Sequence, residues 1–190
     1  SFTEGLTYAN GTLYESAGKF HHSTIRILDP FSGATVSQHK VIDDKFFGEG
    51  LTYANGKLYL LTYKSKTGFI FDAGDLTKPP TTFHFETETG EGWGLTYDPD
   101  ANELVASDGS NYLLFWDPDK LEQVRKVPVK RQGNVATKRI NELEWWRGRI
   151  VANVWFEDVL LVINPITGLV EKEYGRFVLL QYLSLTECAH

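Results

Sequence analysis

Short runs of alternating hydrophobic and polar residues, separated by turn-forming residues, make up most of the chain. In the first 45 residues the segments GLTYA, TLYESA, TIRILD and ATVSQHKV are rich in β-branched and aromatic side chains, as strands are. Asn10-Gly11 separates the first two segments and the run 29–33 (DPFSG) separates the last two; both favour tight turns. No segment has the apolar spacing of a convincing amphipathic helix. The pattern therefore predicts an all-β protein built from antiparallel hairpins.

This pattern occurs four times along the chain. FTEGLTYANGTLY at 2–14 and FGEGLTYANGKLY at 47–59 differ at two of thirteen positions, and related copies begin at Glu91 and Ile140. A leucine shared by the copies recurs after 45, 44 and 48 residues, at Leu6, Leu51, Leu95 and Leu143. A turn-forming residue after the third strand keeps the same spacing, at Asp29, Asp72, Asp117 and Asn164. A repeat of about 45 residues with four strands is typical of a β-propeller blade.

We therefore predict one β-propeller domain of four-stranded antiparallel blades. The blades are expected at about 1–45, 46–89, 90–134 and 135–174, with a divergent tail at 175–190 and a fifth blade apparently missing. A ring left open in this way would expose sheet edges and could associate with itself through edge strands.

Two sets of equivalent positions are candidates for a site, because the first strand of a propeller blade lies innermost, around the central channel. Two residues before the shared leucine, the inner position holds Glu4, Glu49, Trp93 and Asn141. On the second strand, glycine alternates with large aromatic residues at Gly18, Tyr63, Gly109 and Trp155. Glycine leaves room beside a neighbouring aromatic ring, so Tyr63, Trp93 and Trp155 could line an apolar pocket around the carboxylates.

These residue types limit the chemistry. Neither set contains a Ser-His or Cys-His pair, which argues against covalent acyl transfer. What remains is a carboxylate for proton transfer, an amide that can donate to a developing oxyanion, and aromatic walls that exclude water. Two neighbouring carboxyl groups in an apolar pocket also repel each other when both are ionised, so the pKa of one of them should be raised. The pattern indicates an acid–base catalyst.

Composition and charge exclude several other classes. The chain is 42% hydrophobic and 23% charged, with a net charge of −6, which argues against a general nucleic-acid binder. No apolar run reaches 18 residues, so we expect no membrane partner. A single cysteine, Cys188, and the spacing of the five histidines give no metal motif, so no metal ligands are predicted. The sequon Asn10-Gly11-Thr12 is compatible with the secretory pathway, and we expect an extracellular or periplasmic location.

The motifs FTEGL, FGEGLT, EGWGLT, SDGS at 107–110, INELE and ANVW at 152–155 strongly resemble those of the plant and bacterial glutaminyl-peptide cyclotransferases, from Phe2 to about Glu173. The resemblance implies a five-bladed propeller, of which four repeats are evident here. It also implies conversion of N-terminal glutamine in peptides or proteins to pyroglutamate, with release of ammonia. No cofactor would be required for catalysis, although a structural Ca²⁺ or other divalent ion in the channel is compatible with the family.

The resemblance also implies a role for individual residues. Glu49 would be the catalytic acid–base group, and Asn141 would steady the carbonyl oxygen as negative charge develops. The candidate substrate-binding residues are Glu4, Trp93, Trp155, Tyr63 and Phe2. Of these, Glu4 would hold the free amino group, and Tyr63 stands where the family usually has tryptophan. The family's lysine-containing TGKxWP-like segment has no match in this chain, so we expect weak activity or none.

Two other functions fit the same residues. In a calcium-dependent, lactonase-like propeller hydrolase, Glu4, Glu49 and Asn141 would supply oxygen ligands, and chelation would abolish activity. In a catalytically inactive propeller acting as a binding scaffold, Glu49→Gln would leave function unchanged.

Overall fold

The computed structural model describes residues 2–19, 21–40 and 43–175 and places them in four four-stranded antiparallel sheets. The first sheet contains β1 (Phe2–Ala9), β2 (Thr12–Gly18), β3 (Thr24–Leu28) and β4 (Thr35–Lys40). The second contains β5 (Gly48–Ala54), β6 (Lys57–Thr62), β7 (Thr67–Asp72) and β8 (Thr81–His84). The third contains β9 (Leu95–Asp98), β10 (Glu103–Ala106), β11 (Tyr112–Trp116) and β12 (Gln123–Pro128).

A small hairpin precedes the fourth sheet. It comprises β13 (Lys130–Arg131), a 3₁₀ turn at Gln132–Asn134 and β14 (Val135–Ala136). The fourth sheet contains β15 (Ile140–Trp146), β16 (Arg149–Val154), β17 (Val159–Ile163) and β18 (Val170–Gly175). Strand order within every sheet follows chain order, so each sheet is a simple up-and-down meander. The all-β prediction and the propeller arrangement of the four described blades are confirmed. Of the predicted tail, 176–190 lies outside the described residues.

The predicted turns have the geometry that their residues favour. Asn10-Gly11, Asn55-Gly56 and Arg147-Gly148 all have positive φ at both positions, which is the two-residue hairpin turn whose twist matches the flanking strands. The recurring Asp or Asn after each third strand accepts backbone N–H bonds from residues two or three positions further on, at Asp29, Asp72, Asp117 and Asn164. The Asp or Asn that marks the repeat after each third strand therefore recurs because its side chain holds the turn.

The core of the fold lies between blades. Tyr14 and Ile25 of the first blade pack on Leu51, Leu58 and Phe69 of the second. A second cluster joins blades two and three, and a third joins blades three and four. Each blade therefore depends on its neighbour to cover its apolar face.

The inner strands β1, β5, β9 and β15 lie side by side in that order, and β15 meets β1 over a short stretch. Hydrogen bonds cross between neighbouring inner strands: the amide of Gly50 donates to the carbonyl of Trp93 at 2.7 Å, and the amide of Trp145 donates to Thr96 Oγ1 at 2.8 Å. No helix among the described residues has the length and apolarity that a bilayer span requires.

Candidate active site

One cavity, of about 280 Å³, collects most of the predicted site residues. It is lined by Glu4, Phe47, Glu49, Tyr63, Trp93, Asn141 and Trp155. Phe2 is the exception among the predicted residues, because it is 71% exposed and does not line this cavity. Phe47, which sequence reasoning missed, lines it instead and is the residue equivalent to Phe2 in the second repeat.

The strand pairing is irregular at three of the four inner positions, so the side chains there depart from the regular alternation of a β-strand. The register of β1 with β2 shifts between Thr3 and Gly5, which leaves Glu4 without a paired residue. Equivalent shifts span Glu49 in β5 and Asn141 in β15. A β-bulge re-aims a side chain, and bulges are common beside functional sites. The repeat therefore supplies a bulge at three of its four inner positions.

Glycines after the inner position let the inner strands approach each other closely. A Cβ atom at Gly50 would collide with the backbone of Trp93 and Leu95, and one at Gly94 would collide with the carbonyl oxygen of Asn141. These glycines were visible in the sequence as the constant part of the GLT motif. Their role is to bring the cavity-lining residues of neighbouring blades within reach of one substrate.

The aromatic wall has two parts. Trp93 and Trp155 meet edge to face, with ring centroids 5.3 Å apart, and Phe47 meets Tyr63 at 6.2 Å. A Cβ at Gly109 would lie 2.7 Å from the indole of Trp93, so this position has no room for a larger residue. The alternating glycines thus leave space for neighbouring aromatic rings. Only Gly18 lies within a second strand, however, whereas Tyr63, Gly109 and Trp155 follow the ends of β6, β10 and β16.

Glu91 fixes the orientation of two wall residues. Its Oε2 accepts a bond from Trp93 Nε1 at 2.9 Å, while its Oε1 lies 3.3 Å from Lys64 Nζ. The same lysine lies 4.6 Å from the centre of the Tyr63 ring. One carboxylate therefore anchors both sides of the wall.

Glu49 has the most perturbed acidity among the residues that line the cavity. Its side chain is buried, and burial raises its pKa to about 9, with further contributions from the carboxylates of Glu4 and Glu91. Burial also raises the pKa of Glu4. Glu49 is therefore protonated at neutral pH while the cavity holds no cation.

Glu142 is a further acidic residue near the cavity, and sequence reasoning missed it. It follows Asn141 within the same bulge, and its carboxyl oxygens are buried without a hydrogen-bond partner of normal geometry in the part of the chain that the structure describes. Burial raises its pKa well above the ordinary value, the carboxyls of Glu144 and Glu49 add to the effect, and the backbone amide of Leu6 opposes it. The bulge hid this residue, because strict alternation from Asn141 would point it away from the site.

The SDGS segment supports the site from behind. Asp108 is buried, and its carboxylate accepts bonds from the amides of Thr89 and Ser110. Gly109 fits against Trp93, and the hydroxyl of Ser107 bonds to the carbonyl of Asn141 at 2.6 Å. The SDGS motif therefore has a physical role in placing two cavity residues, Trp93 and Asn141.

Within residues 2–19, 21–40 and 43–175, no group of three or more Asp, Glu, His or Cys side chains is placed to hold one ion. The glutamates near the cavity interact with one another: Glu4 and Glu91 add to the raised pKa of Glu49, and Glu49 and Glu4 add to that of Glu142.

Comparison with known proteins agrees with the geometry. The glutamine cyclotransferase family model matches residues 1–183. A glutaminyl-peptide cyclotransferase from Arabidopsis thaliana is 36% identical over 170 residues, which is 88% of this chain and 51% of that protein. The chain therefore spans about half the length of this relative.

Solved structures show the same likeness. The glutaminyl cyclase of Myxococcus xanthus superposes with a TM-score of 0.81 at 32% identity, covering 97% of this chain and 75% of that one. The Neurospora crassa Pan2 WD40 domain, at a TM-score of 0.60 and 12% identity over 91% of this chain and 49% of its own, shares only the fold. Sequence motifs, cavity residues and these comparisons lead to one conclusion: the chain belongs to the glutamine cyclotransferase family.

Proposed function

We propose that this protein converts N-terminal glutamine of peptides or proteins to pyroglutamate and releases ammonia. The observation that supports this most directly is a buried Glu49 with a pKa of about 9, beside Glu4 and within the same cavity as Asn141. At about 280 Å³ the cavity is just below the usual range of small-molecule pockets, about 300–1,000 Å³, and suits one terminal residue.

The first step is the removal of a proton from the substrate. At neutral pH the minority of Glu49 side chains that are ionised would attract the N-terminal ammonium group of the substrate, of pKa about 8. Because the carboxylate of Glu49 is buried among other acidic groups, it holds a proton tightly, and the ammonium proton passes to it. This transfer leaves a neutral amine, which is the form that can act as a nucleophile.

Ring closure then needs one acid–base group. The amine nitrogen attacks the γ-carboxamide carbon, a C–N bond forms, and the carbonyl oxygen takes up negative charge. Glu49 donates its proton to the carboxamide nitrogen and takes one from the ring nitrogen, so that ammonia departs as the carbonyl re-forms. Glu49 ends protonated and passes that proton to the ammonia, so the ammonium form of the substrate gives the lactam and NH₄⁺.

Asn141 and the aromatic wall supply the remaining elements of the mechanism. The side-chain amide of Asn141 can donate to the oxygen that becomes negative, which stabilises the transition state more than the ground state. Trp93 and Trp155 exclude water from the reacting carbon, and so favour attack by the amine over hydrolysis of the carboxamide. No step requires a metal ion.

The test is ammonia release from a glutamine-initiated dipeptide by the wild-type protein, with and without a chelator. Glu49→Gln should abolish release, and Glu122→Gln, the same change at an exposed glutamate, should not. Chelator-resistant release that depends on Glu49 supports the proposal. Release abolished by the chelator would instead favour a calcium-dependent enzyme, and no release from a folded protein would favour a binding scaffold.

A further inference from the structure

Two buried serines join neighbouring blades directly behind the proposed catalytic residues. Ser16 Oγ donates to the carbonyl oxygen of Glu49 at 2.5 Å, and Ser107 Oγ donates to the carbonyl oxygen of Asn141 at 2.6 Å. Both serines are at most 1% exposed. Each bond runs from the second strand of one blade, or the residue after it, to the inner strand of the next.

The serines occupy the same place in the repeat, three residues after Leu13 and Leu104. In the second blade this place is taken by Leu61, which is buried in the core. The blade that follows Leu61 presents Trp93, whose carbonyl accepts the amide of Gly50 instead. Among the first three blades, a hydroxyl is therefore found where the next blade presents a residue with a chemical role, and leucine where it presents a wall.

The hydroxyl is needed because the bulges interrupt the strand ladders. Glu49 and Asn141 both lie where register shifts leave them unpaired with the adjacent strand. A bulged peptide has no ladder partner to fix its orientation, and a buried carbonyl without a partner is costly. Ser107 also accepts the amide of Gly94 at 2.9 Å, so it ties the segment that leads from Trp93 into β9 to the peptide of Asn141.

We propose that Ser16 and Ser107 are positioning residues, which act through the main chain of Glu49 and of Asn141 respectively. Each hydroxyl fixes the orientation of a bulged peptide and thereby the direction in which the side chain of the same residue, Glu49 or Asn141, leaves the backbone. This inference rests on the proposed function. Small displacements of a catalytic group strongly lower the rate, since a shift of about 1 Å can reduce it about 10²-fold.

The experiment compares Ser107→Ala with Thr96→Val. Thr96 is a matched control, because its buried hydroxyl accepts the amide of Trp145 at 2.8 Å and joins the same two blades away from Asn141. Ser107→Ala should lower kcat about 10- to 100-fold with KM changed less than about threefold. Thr96→Val should lower the Tm about as much as Ser107→Ala does, but it should leave kcat unchanged. Equal losses of kcat in the two variants would overturn the proposal.

A double-mutant cycle separates positioning from general destabilisation. In an Asn141→Ala background, Ser107→Ala should cause no further loss of kcat, because the group that it positions has gone. A full additional loss would refute action through Asn141. Ser16→Ala should behave in the same way towards Glu49, and should in addition shift the pH profile of kcat.

One readout does not depend on turnover. The side-chain amide resonances of Asn141, assigned by comparison with Asn141→Ala, should shift or broaden in Ser107→Ala but not in Thr96→Val. Absence of ammonia release by the wild-type protein would count against the proposed function, and the resonances would still decide the positioning role. Resonances unchanged in Ser107→Ala would overturn it.

Discussion

The burial of Glu49 predicts that this glutamate destabilises the folded protein at neutral and alkaline pH. Its pKa is raised to about 9 in the folded state, whereas an ordinary glutamate titrates at 4.5. The folded protein therefore holds this proton more tightly than the unfolded chain does. Below pH 4.5 the Glu49 carboxyl is protonated in both the folded and the unfolded state, so its titration does not change the free energy of unfolding. As the pH rises from 4.5 to 9, the free energy of unfolding falls.

The size of the effect follows from the two pKa values. At 1.36 kcal/mol per pH unit, the cost reaches about 3 kcal/mol at pH 7. Glutamine has nearly the same shape and does not titrate, so Glu49→Gln removes the pH-dependent part. The stability of the variant relative to wild type should therefore increase by about 3 kcal/mol between pH 5.5 and pH 8. For a chain of this size that corresponds to about 6–12 °C in Tm.

The measurement is urea denaturation followed by circular dichroism at pH 5.5 and pH 8. Tryptophan fluorescence is less suitable, because Trp93 and Trp155 line the same cavity. Any uniform offset from an imperfectly bonded amide cancels when the two pH values are compared. Glu122→Gln is the control and should keep the wild-type slope. Parallel stability curves for Glu49→Gln and wild type would refute the assignment of this proton to Glu49.

Three further predictions address the rest of the site. Asn141→Ala should lower kcat about 10²- to 10³-fold with a smaller change in KM, as expected for loss of an oxyanion donor, when steady-state ammonia release is measured. The control is Asn10→Ala, a change at an exposed asparagine, and a change confined to KM in Asn141→Ala would contradict the role. Tyr63→Ala should raise KM about tenfold through loss of one wall, whereas Tyr63→Trp should keep it near the wild-type value in the same assay; an unchanged KM in Tyr63→Ala would exclude Tyr63 from substrate contact. Gly94→Ala should destabilise the protein by about 1–3 kcal/mol in thermal unfolding, because the added methyl group meets the carbonyl of Asn141. The control is Gly48→Ala, whose methyl group would have ordinary contacts at 3.6 Å or more and whose stability should be close to wild type. Equal losses of stability in the two variants would disprove the packing argument.

The site could be predicted largely because the repeat converts sequence position into location. Residues at equal places in successive blades lie at equal heights, so Glu4, Glu49, Trp93 and Asn141 had to meet if the chain formed a propeller. Turn chemistry was equally readable, since Asn-Gly and Arg-Gly pairs have few alternatives at a two-residue turn.

Features that depend on packing between sheets were not readable. Phe2 and Phe47 are equivalent in sequence, but only Phe47 lines the cavity. Glu142 was missed because a bulge reverses the alternation that strand patterns rely on. Ser16 and Ser107 had a signal, namely a polar residue at the same place in two otherwise buried strands, but their partners lie in the next blade, and no pattern within one blade reveals them.

The placement of the hydrophobic clusters between blades has a consequence for synthesis on the ribosome. The first sheet cannot cover Tyr14 and Ile25 until Leu51, Leu58 and Phe69 of the second have emerged. At about 5–20 residues per second, a 45-residue blade is completed about every 2–9 s, so each nascent blade waits that long with one apolar face uncovered. Stability accumulates in steps, one interface at a time, in the manner of a nearest-neighbour chain. The interval during which the newest blade needs protection from aggregation is therefore set by the repeat length itself.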